Sequence, residues 1–178
     1  MLCQSQDRRE INVDNRTVQD KCQFLVSHME QYYSLVLLLT ASEEDAERCF
    51  VLSLDTWSKA CRNLAPIVPE AADARIKRAL VDCALRFCGP VYGHEPEGEA
   101  ELDIWGERLP GNCSPWVAAI VQLDTFERFV FVLSVLECYS DQECSDLLHC
   151  QLEEIAESRA HALHSVASSL KNWGTHDA

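Results

Sequence analysis

The chain has 178 residues, of which 47% are hydrophobic and 25% charged, and its formal net charge is −14. This apolar content is enough for a packed core and excludes a chain that is disordered throughout. The longest apolar runs, 35–39 and 129–133, are too short to span a bilayer, and no signal-peptide-like run follows the first residues. We therefore expect a cytoplasmic protein without membrane association, folded as one domain or two small ones.

The first half of the chain predicts a helical domain over residues 16–90, preceded by a polar lead-in at residues 1–15. A first helix is expected over about 17–39, and its apolar side chains recur at helical spacing. They are Phe24, Met29, Tyr32, Val36 and Leu39. Ser42, with Asp45 three residues later, predicts the cap of a second helix that continues to about Ala60.

The third predicted helix starts at Pro69, which suits a first helical turn, and ends before Gly89. Its apolar face comprises Ile76, Leu80, Cys83 and Phe87. The opposite side is basic, with Arg75, Arg78 and Arg86 and with Lys77 nearby. Two interpretations of these cations remain open at this point. They form either an ordinary solvated face or a surface that contacts nucleic-acid phosphates.

Residues 91–114 contain glycine and proline and carry one Lys/Arg against six Asp/Glu. We interpret this segment as an acidic linker between two domains. Its acidity is consistent with a soluble spacer. It is also consistent with an autoinhibitory strap that covers basic helix positions of the same chain.

The second domain is expected over residues 115–178 and begins with a short helix that ends at Val121. The next helix starts at Asp124, whose side chain is expected to cap the first turn while Glu127 reaches back to the backbone. This helix is apolar nearly all round from Phe129 to Leu136. We therefore expect it at the centre of its domain.

Two further helices follow so closely that only a tight turn fits between them. Ser140 and Glu143 predict a capping box at the start of the first, and the second begins at Leu152. Residues 149–151 form the turn, so the pattern predicts a helix-turn-helix. The apolar face of the first helix is Cys144, Leu147 and Leu148. The apolar stripe of the second is Leu152, Ile155, Arg159, Leu163, Val166 and Leu170.

The ten cysteines include no CxxC pair. We expect them to act as small hydrophobic side chains, with a zinc site near Cys144, His149 and Cys150 or a disulfide as alternatives. No nucleotide-binding glycine loop or hydrolase motif is present. A Cys150–His pair can be drawn, but nothing in the sequence activates the thiol. We therefore expect no enzyme activity, catalytic residue, metal or cofactor.

One run in the C-terminal half resembles the promoter-reading domain of bacterial RNA polymerase sigma factors, close to the extracytoplasmic-function group. The LEGYS..EIA..L pattern of that family corresponds to LECYSDQECSDLL, which begins at Leu136. In the turn that follows, His149 stands at the family's glycine and Gln151 at its capping serine. Further positions that carry the resemblance are Leu123, Arg128, Val130-Phe131-Val132-Leu133, Ile155 and Ala162.

A weaker resemblance covers residues 33–88. The run LTASEEDAERCFVLSLDTW, from Leu39 to Trp57, is similar to the family's LTG-x-x-EDAED run, which opens the helix that docks on the polymerase clamp. After Glu47 it departs, because Val51 and Leu52 replace a polar Gln-Glu pair. The matching positions are Leu39, Thr40, Glu44, Asp45, Ala46 and Glu47. The candidate polymerase-binding residues implied by the resemblance are Asp45, Glu47 and Arg48.

The resemblance implies an all-α fold of two small helical domains, the C-terminal one a sigma-type helix-turn-helix. The implied function is to bind core RNA polymerase and direct it to promoter DNA, with an anti-sigma factor as a further partner. The candidate DNA contacts in the first domain are Arg75, Lys77, Arg78 and Arg86. The candidate DNA contacts in the second domain are Ser158, His161 and Arg159.

Charge leads to an alternative hypothesis. Residues 115–178 carry three Lys/Arg against ten Asp/Glu, and Glu153, Glu154 and Glu157 are expected on the exposed side of the last helix. Carboxylates that face phosphates lose the counterion release on which DNA affinity depends. The alternative is a divergent sigma-like module that no longer reads DNA and acts as a protein-protein regulator. Arg159 lies on the apolar stripe, where pairing with Glu127 or Glu137 would remove it from DNA.

Overall fold

The computed structural model describes residues 23–61, 69–90 and 114–173 of the chain. All regular secondary structure in these residues is helical, which confirms the all-α fold class. No helix within the described ranges has the length and apolar character needed to cross a membrane. The predicted lead-in at 1–15, and the predicted linker except for Ser114, lie outside the described residues.

Three helices form the N-terminal half, residues 23–90, and four form the C-terminal half, residues 114–173, among the described residues. In the N-terminal half, α1 covers residues 23–40, α2 covers Glu43–Cys61 and α3 covers Pro69–Cys88. In the C-terminal half, α4 is Pro115–Val121, α5 is Thr125–Phe131, α6 is Asp141–Leu148 and α7 is Leu152–Trp173. A π-helical turn, Val132–Leu136, continues α5.

The helix caps of the C-terminal half follow the predicted pattern, with one exception. The backbone N–H of Glu143 donates to Ser140 Oγ at 3.3 Å, and Ser140 N donates to Glu143 Oε2 at 2.8 Å, which confirms the capping box. At α5, Asp124 Oδ1 accepts from Glu127 N at 2.9 Å. The second half of that predicted box is wrong, because the Glu127 carboxylate contacts the His161 ring instead of the backbone at residue 124.

The tight turn predicted between α6 and α7 is confirmed, and a backbone reversal at His149 forms it. His149 has a left-handed φ of 54°. This conformation lets Cys150 N donate to Ser145 O, five residues back, at 3.2 Å, which closes the helix end in the manner of a Schellman motif. Ser145 Oγ also donates to Cys150 O, so the turn satisfies its own backbone groups.

Helix α5 and its π-helical turn occupy the centre of the C-terminal half, where Phe129, Val130, Val132 and Leu133 are fully buried. Glu137 N donates to Val132 O at 3.0 Å, five residues back, so the helix widens where the sequence predicts an ordinary α-helix. Leu136 then points outward and is 39% exposed. Buried side chains of both halves belong to one hydrophobic cluster.

Arg128 is a buried cation at the junction of the two halves. Its side chain is almost fully enclosed, and its Nε donates to Leu39 O, near the end of α1, at 3.2 Å. Its Nη1 donates to Leu123 O at 2.9 Å and to Val121 O at 3.4 Å, near the end of α4. Carbonyl groups at helix C-termini carry partial negative charge, so two helix ends together stabilise one guanidinium. Burial lowers the pKa of Arg128 from its usual value.

The predicted apolar stripes of α1 and α3 are buried or half-buried except for one residue each, whereas that of α7 is buried only in part. Met29 in α1 is 48% exposed and Phe87 in α3 is 46% exposed. In α7, Leu152, Leu163 and Leu170 are also exposed, whereas the buried positions are Ile155, Ala162 and Val166. Ile155 and Val166 of the predicted α7 stripe are therefore confirmed as buried, and the buried face is shifted from the stripe toward Ala162. Helices α4 and α5 pack on a face centred on small Ala162, which allows closer approach than a face centred on leucine.

Candidate nucleic-acid interface

The exposed cations of α3 differ in how freely their charge is available. Arg75, Arg78 and Arg86 are all exposed. Arg78 Nε lies 3.0 Å from Asp82 Oδ1, and Arg86 Nε donates to the Asp82 backbone carbonyl at 3.2 Å. Arg75 forms no ion pair with any of the described residues. Among the described residues, Arg75 and Arg86 therefore have no carboxylate partner, and Arg86 differs in that it is held by a backbone carbonyl.

Lys77 connects α3 to the C-terminal half. Its Nζ lies 2.7 Å from Glu137 Oε2 and 3.6 Å from Asp73 Oδ2, and only 18% of the side chain is exposed. Burial by itself lowers the pKa of Lys77, but Glu137 and Asp73 outweigh it, so the net shift is upward. Asp73 also accepts from Tyr32 Oη at 2.8 Å. A phosphate contact by Lys77 would therefore require breaking an ion pair between the two halves.

The first turn of α7 is acidic on its exposed side. Glu153, Glu154 and Glu157 are all exposed, as the sequence predicts. The Glu154 carboxylate accepts from Gln151 N at 2.7 Å, so it satisfies the backbone N–H that precedes its own helix. Glu153 and Glu157 remain as the carboxylates that this face would present to a nucleic acid.

Arg159 is held by Asp141, which contradicts the hypothesis that Glu127 or Glu137 pairs with it. Both Nη atoms of Arg159 contact the Asp141 carboxylate, one of them at 3.1 Å. The Arg159 hydrogen bond lowers the pKa of Asp141. The partner differs from the hypothesis because α6 crosses α7 there, while Glu127 contacts His161 and Glu137 contacts Lys77.

The other two α7 candidates are oriented differently from each other. The ring of His161 is exposed, and its Nδ1 contacts Glu127 Oε1 of α5. The Oγ of Ser158 is buried and has no hydrogen-bond partner among the described residues. Of the three residues assigned to DNA in this helix, His161 alone is exposed, whereas Ser158 and Arg159 are half-buried.

The predicted polymerase-binding residues lie on the first turns of α2. Asp45 is half-buried, and its backbone N–H donates to the Ser42 cap at 3.3 Å. Glu47 and Arg48 are exposed, and Arg48 Nη2 lies 2.6 Å from Glu44 Oε1. Further along the helix, Val51 and Leu52 are 64% and 47% exposed. This surface therefore combines charged side chains with an exposed apolar pair.

Three non-glycine residues adopt a left-handed backbone within the described ranges. They are Ala41, Cys138 and His149, with φ values of 54°, 57° and 54°. Each follows the last turn of a helix. Ala41 N donates to Leu37 O at 2.8 Å, and Tyr139 N donates to Leu133 O at 2.9 Å across Cys138. These contacts close α1 and the π-helical turn.

All three residues stand where the sigma-factor patterns have glycine. Ala41 occupies the third position of the LTG run, Cys138 the third position of LEGYS, and His149 the glycine of the turn. Glycine adopts a left-handed conformation without steric cost, whereas a side chain with a Cβ costs on the order of 1 kcal/mol. The sequence alone shows three positions at which another residue replaces the glycine of the pattern. The backbone angles add that all three positions are left-handed, which is the conformation that favours glycine.

The environment of three cysteines favours the neutral thiol over the reactive thiolate. Burial raises the pKa of Cys144 and of Cys88 to about 11, and it raises that of Cys49 further. The described residues include no group of three or more His, Cys, Asp or Glu side chains placed to hold a metal ion. Cys49, Cys83 and Cys144 are buried, as expected of small hydrophobic side chains.

No family model, curated protein or solved structure matches the chain. The resemblance to sigma factors therefore depends on the sequence patterns alone.

Proposed function

We propose that the protein is a sigma-factor-like transcription initiation protein that binds core RNA polymerase and promoter DNA. The observation that carries the proposal is the coincidence of left-handed backbone with family glycine positions at Ala41, Cys138 and His149. One such coincidence would be weak support, because helices commonly end in this conformation.

The coincidence supports the proposal because it is complete and comes from two separate regions. All left-handed non-glycine residues in the described part of the chain fall on pattern glycines, one in the N-terminal half and two in the C-terminal half. Each costs roughly 1 kcal/mol relative to glycine. The chain adopts a left-handed backbone at these three positions although it has no glycine there. We take this as support for the same chain path as the one expected from the glycine pattern.

The proposal assigns promoter contact first to α3. Arg75, Arg78 and Arg86 are exposed on one helix, and Arg75 has no carboxylate partner in the described residues. Phosphate contacts by such side chains supply affinity and register without sequence specificity. Polymerase contact is assigned to the start of α2, at Asp45, Glu47 and Arg48. The expected location is the cytoplasm, and an anti-sigma factor is the expected regulator.

The test is a pull-down with core RNA polymerase, followed by run-off transcription on promoters from the same genome. We expect the protein to copurify with the polymerase and to produce discrete transcripts. Glu47→Lys combined with Arg48→Glu should weaken the pull-down. The control is Asp55→Lys with Lys59→Glu, which likewise reverses one acidic and one basic exposed residue of α2, two to three turns away. Absence of polymerase binding would refute the proposal.

A second function is favoured by the surface of α7. Its exposed first turns carry Glu153 and Glu157, and Arg159 is neutralised by Asp141. A helix with this charge is poorly suited to the major groove and well suited to a basic protein surface. The second proposal is therefore a sigma-like module that no longer reads DNA and regulates through protein partners.

The same experiment separates the two functions. Polymerase binding with promoter-specific transcripts supports transcription initiation. Polymerase binding without such transcripts, in the presence of a positive-control sigma factor, supports the protein-protein regulator.

A further inference from the structure

Helix α7 carries a second apolar stripe that packs against nothing in the described part of the chain. Its members occur at steps of three or four residues along five turns, and every one is exposed. They are Leu152, Ala156, Ala160, Leu163, Ala167 and Leu170. This stripe contains no polar residue. It lies about a quarter-turn from the buried face of Ile155, Ala162 and Val166.

The stripe is nearly symmetric about its own centre. Leu152 and Leu170 terminate it, and Ala156 and Ala167 are the next members inward. Ala160 and Leu163 flank the midpoint, and the midpoints of all three pairs lie between residues 160 and 162. A second copy of α7 in antiparallel orientation would therefore place leucine against leucine at the ends. Alanine would lie against alanine closer in, where small side chains permit close axes.

Charged residues on one flank of the stripe follow the same symmetry. Glu153 and Lys171 are exposed and lie 18 residues, or about five turns, apart on the same side of α7. Glu157 and His164 lie between them on that flank. In an antiparallel pair of helices, equivalent flanks face each other. Glu153 of one copy would then face Lys171 of the other, and Glu157 would face His164, twice each.

We propose that this stripe is the contact surface of a symmetric homodimer, in which α7 packs antiparallel on α7 of a second copy. The dimer axis passes near residue 161. The inference does not depend on the proposed function. A two-fold interface is self-complementary by necessity, and an arbitrary solvent-exposed stripe has no reason to be. If the two α7 helices were parallel, this flank of one copy would face the other flank of its partner, and Glu153 would not face Lys171.

The interface is of modest size. The stripe is roughly 27 Å long, and one helix against another over that length buries on the order of 1,000 Å² in total. This area lies at the lower limit for specific association. We therefore expect a reversible dimer with a dissociation constant in the micromolar range.

The first test is sedimentation velocity of the full chain from micromolar to near-millimolar concentration, with reductant present to exclude linkage through exposed Cys138. The wild-type protein should shift from monomer to dimer. Leu163→Ser should weaken the dimer at least tenfold, because it removes an apolar side chain at the centre. Leu52→Ser is the matched control, since this α2 leucine has nearly the same exposure and should leave the dimer unchanged.

The second test is a charge swap that distinguishes antiparallel pairing from other arrangements. Lys171→Glu alone and Glu153→Lys alone each create two like-charge pairs and should each weaken the dimer by about tenfold. The double variant restores opposite charges across the interface and should recover most of the wild-type affinity. Circular dichroism of each variant checks that α7 remains helical.

Three results would overturn the inference. The first is a protein that stays monomeric throughout the concentration range. The second is a dimer that responds to Leu52→Ser but not to Leu163→Ser, which would place the contact on α2. The third is a charge-swap double variant no stronger than the single variants, which would exclude antiparallel pairing about residue 161.

Discussion

Helices α3 and α7 are similar in length and both present a continuous exposed surface, but the two surfaces are suited to different partners. Helix α3 presents Arg75, Arg78 and Arg86, whereas α7 presents carboxylates and a stripe of leucine and alanine. Both halves contain left-handed helix ends, but only α3 presents a surface with the charge for phosphate. The backbone geometry of the helix ends is thus similar in the two halves, while the charge of the exposed helix surfaces differs.

The largest expected effect comes from the residue that joins the two regions. Arg128→Met removes the donor to Leu39 O, Val121 O and Leu123 O and leaves these carbonyls without it. We expect the free energy of unfolding to fall by roughly 3 kcal/mol, measured by urea denaturation. Arg75→Met, on the surface of α3, should change it by less than about 0.5 kcal/mol. Equal effects would contradict the role of Arg128 at the junction.

The contrast between α3 and α7 can be sharpened by DNA binding measured against salt concentration. Arg75→Gln with Arg78→Gln should weaken binding and reduce the slope of log K against log salt by about 2, since two phosphate contacts are lost. Unchanged binding would remove α3 as the phosphate surface.

The converse substitution tests α7. Glu153→Gln with Glu157→Gln leaves the cap at Glu154 intact and removes two exposed carboxylates. If α7 approaches DNA, affinity should rise severalfold at low salt, because two repulsive charges are lost. If α7 binds protein instead, DNA affinity should remain within the error of the titration. A large rise in DNA affinity would show that α7, like α3, lies close to the DNA.

A smaller effect is expected at the two left-handed helix ends of the C-terminal half. Cys138→Gly and His149→Gly should each raise the free energy of unfolding by about 0.5–1 kcal/mol, because glycine removes the cost of the left-handed backbone. The control is Ala74→Gly on the exposed side of α3, which should lower it by about 1 kcal/mol. Destabilisation by both turn substitutions would show that the side chains compensate for the backbone angle.

The smallest effect concerns the pH dependence of the α6–α7 contact. The folded-state pKa of Asp141 is lowered, first by its hydrogen bond from Arg159. The pair therefore contributes stability above the unfolded pKa of Asp, about 4, and that contribution is lost as pH falls through the lower folded value. Asp141→Asn should thus reduce stability at neutral pH and flatten the acid-side decline. An unchanged profile between neutral and acidic pH would exclude this linkage.

Local features were predicted well because their determinants are close in sequence. Ser140 and Glu143 define the start of α6 through bonds that span three residues, and Asp124 does the same for α5. The buried cysteines and the all-α class also follow from local composition and periodicity. The starts of α3 and α7 are accurate to the residue, at Pro69 and Leu152.

Ion-pair partners and part of the buried face of α7 were not predicted correctly, because they depend on residues that are distant in the sequence. The partner of Arg159 depends on how α6 crosses α7, and Asp141 lies 18 residues away. The sequence predicts Lys77 as a DNA contact, but its ammonium group forms an ion pair with Glu137 of the C-terminal half. Apolar periodicity predicted that Leu163 and Leu170 are buried, but both are exposed. A helix with two apolar stripes does not indicate by its own sequence which stripe the neighbouring helices cover.

The sequence by itself determined where α3, α5, α6 and α7 begin, because caps, turns and apolar periodicity act within a few residues. It also determined the acidity of α7 and the family pattern at three helix ends. Only the tertiary structure decided that Ala41, Cys138 and His149 share a left-handed backbone and that Arg128 serves both halves. It alone decided which α7 stripe is exposed, since burial depends on which surfaces the packed helices leave uncovered.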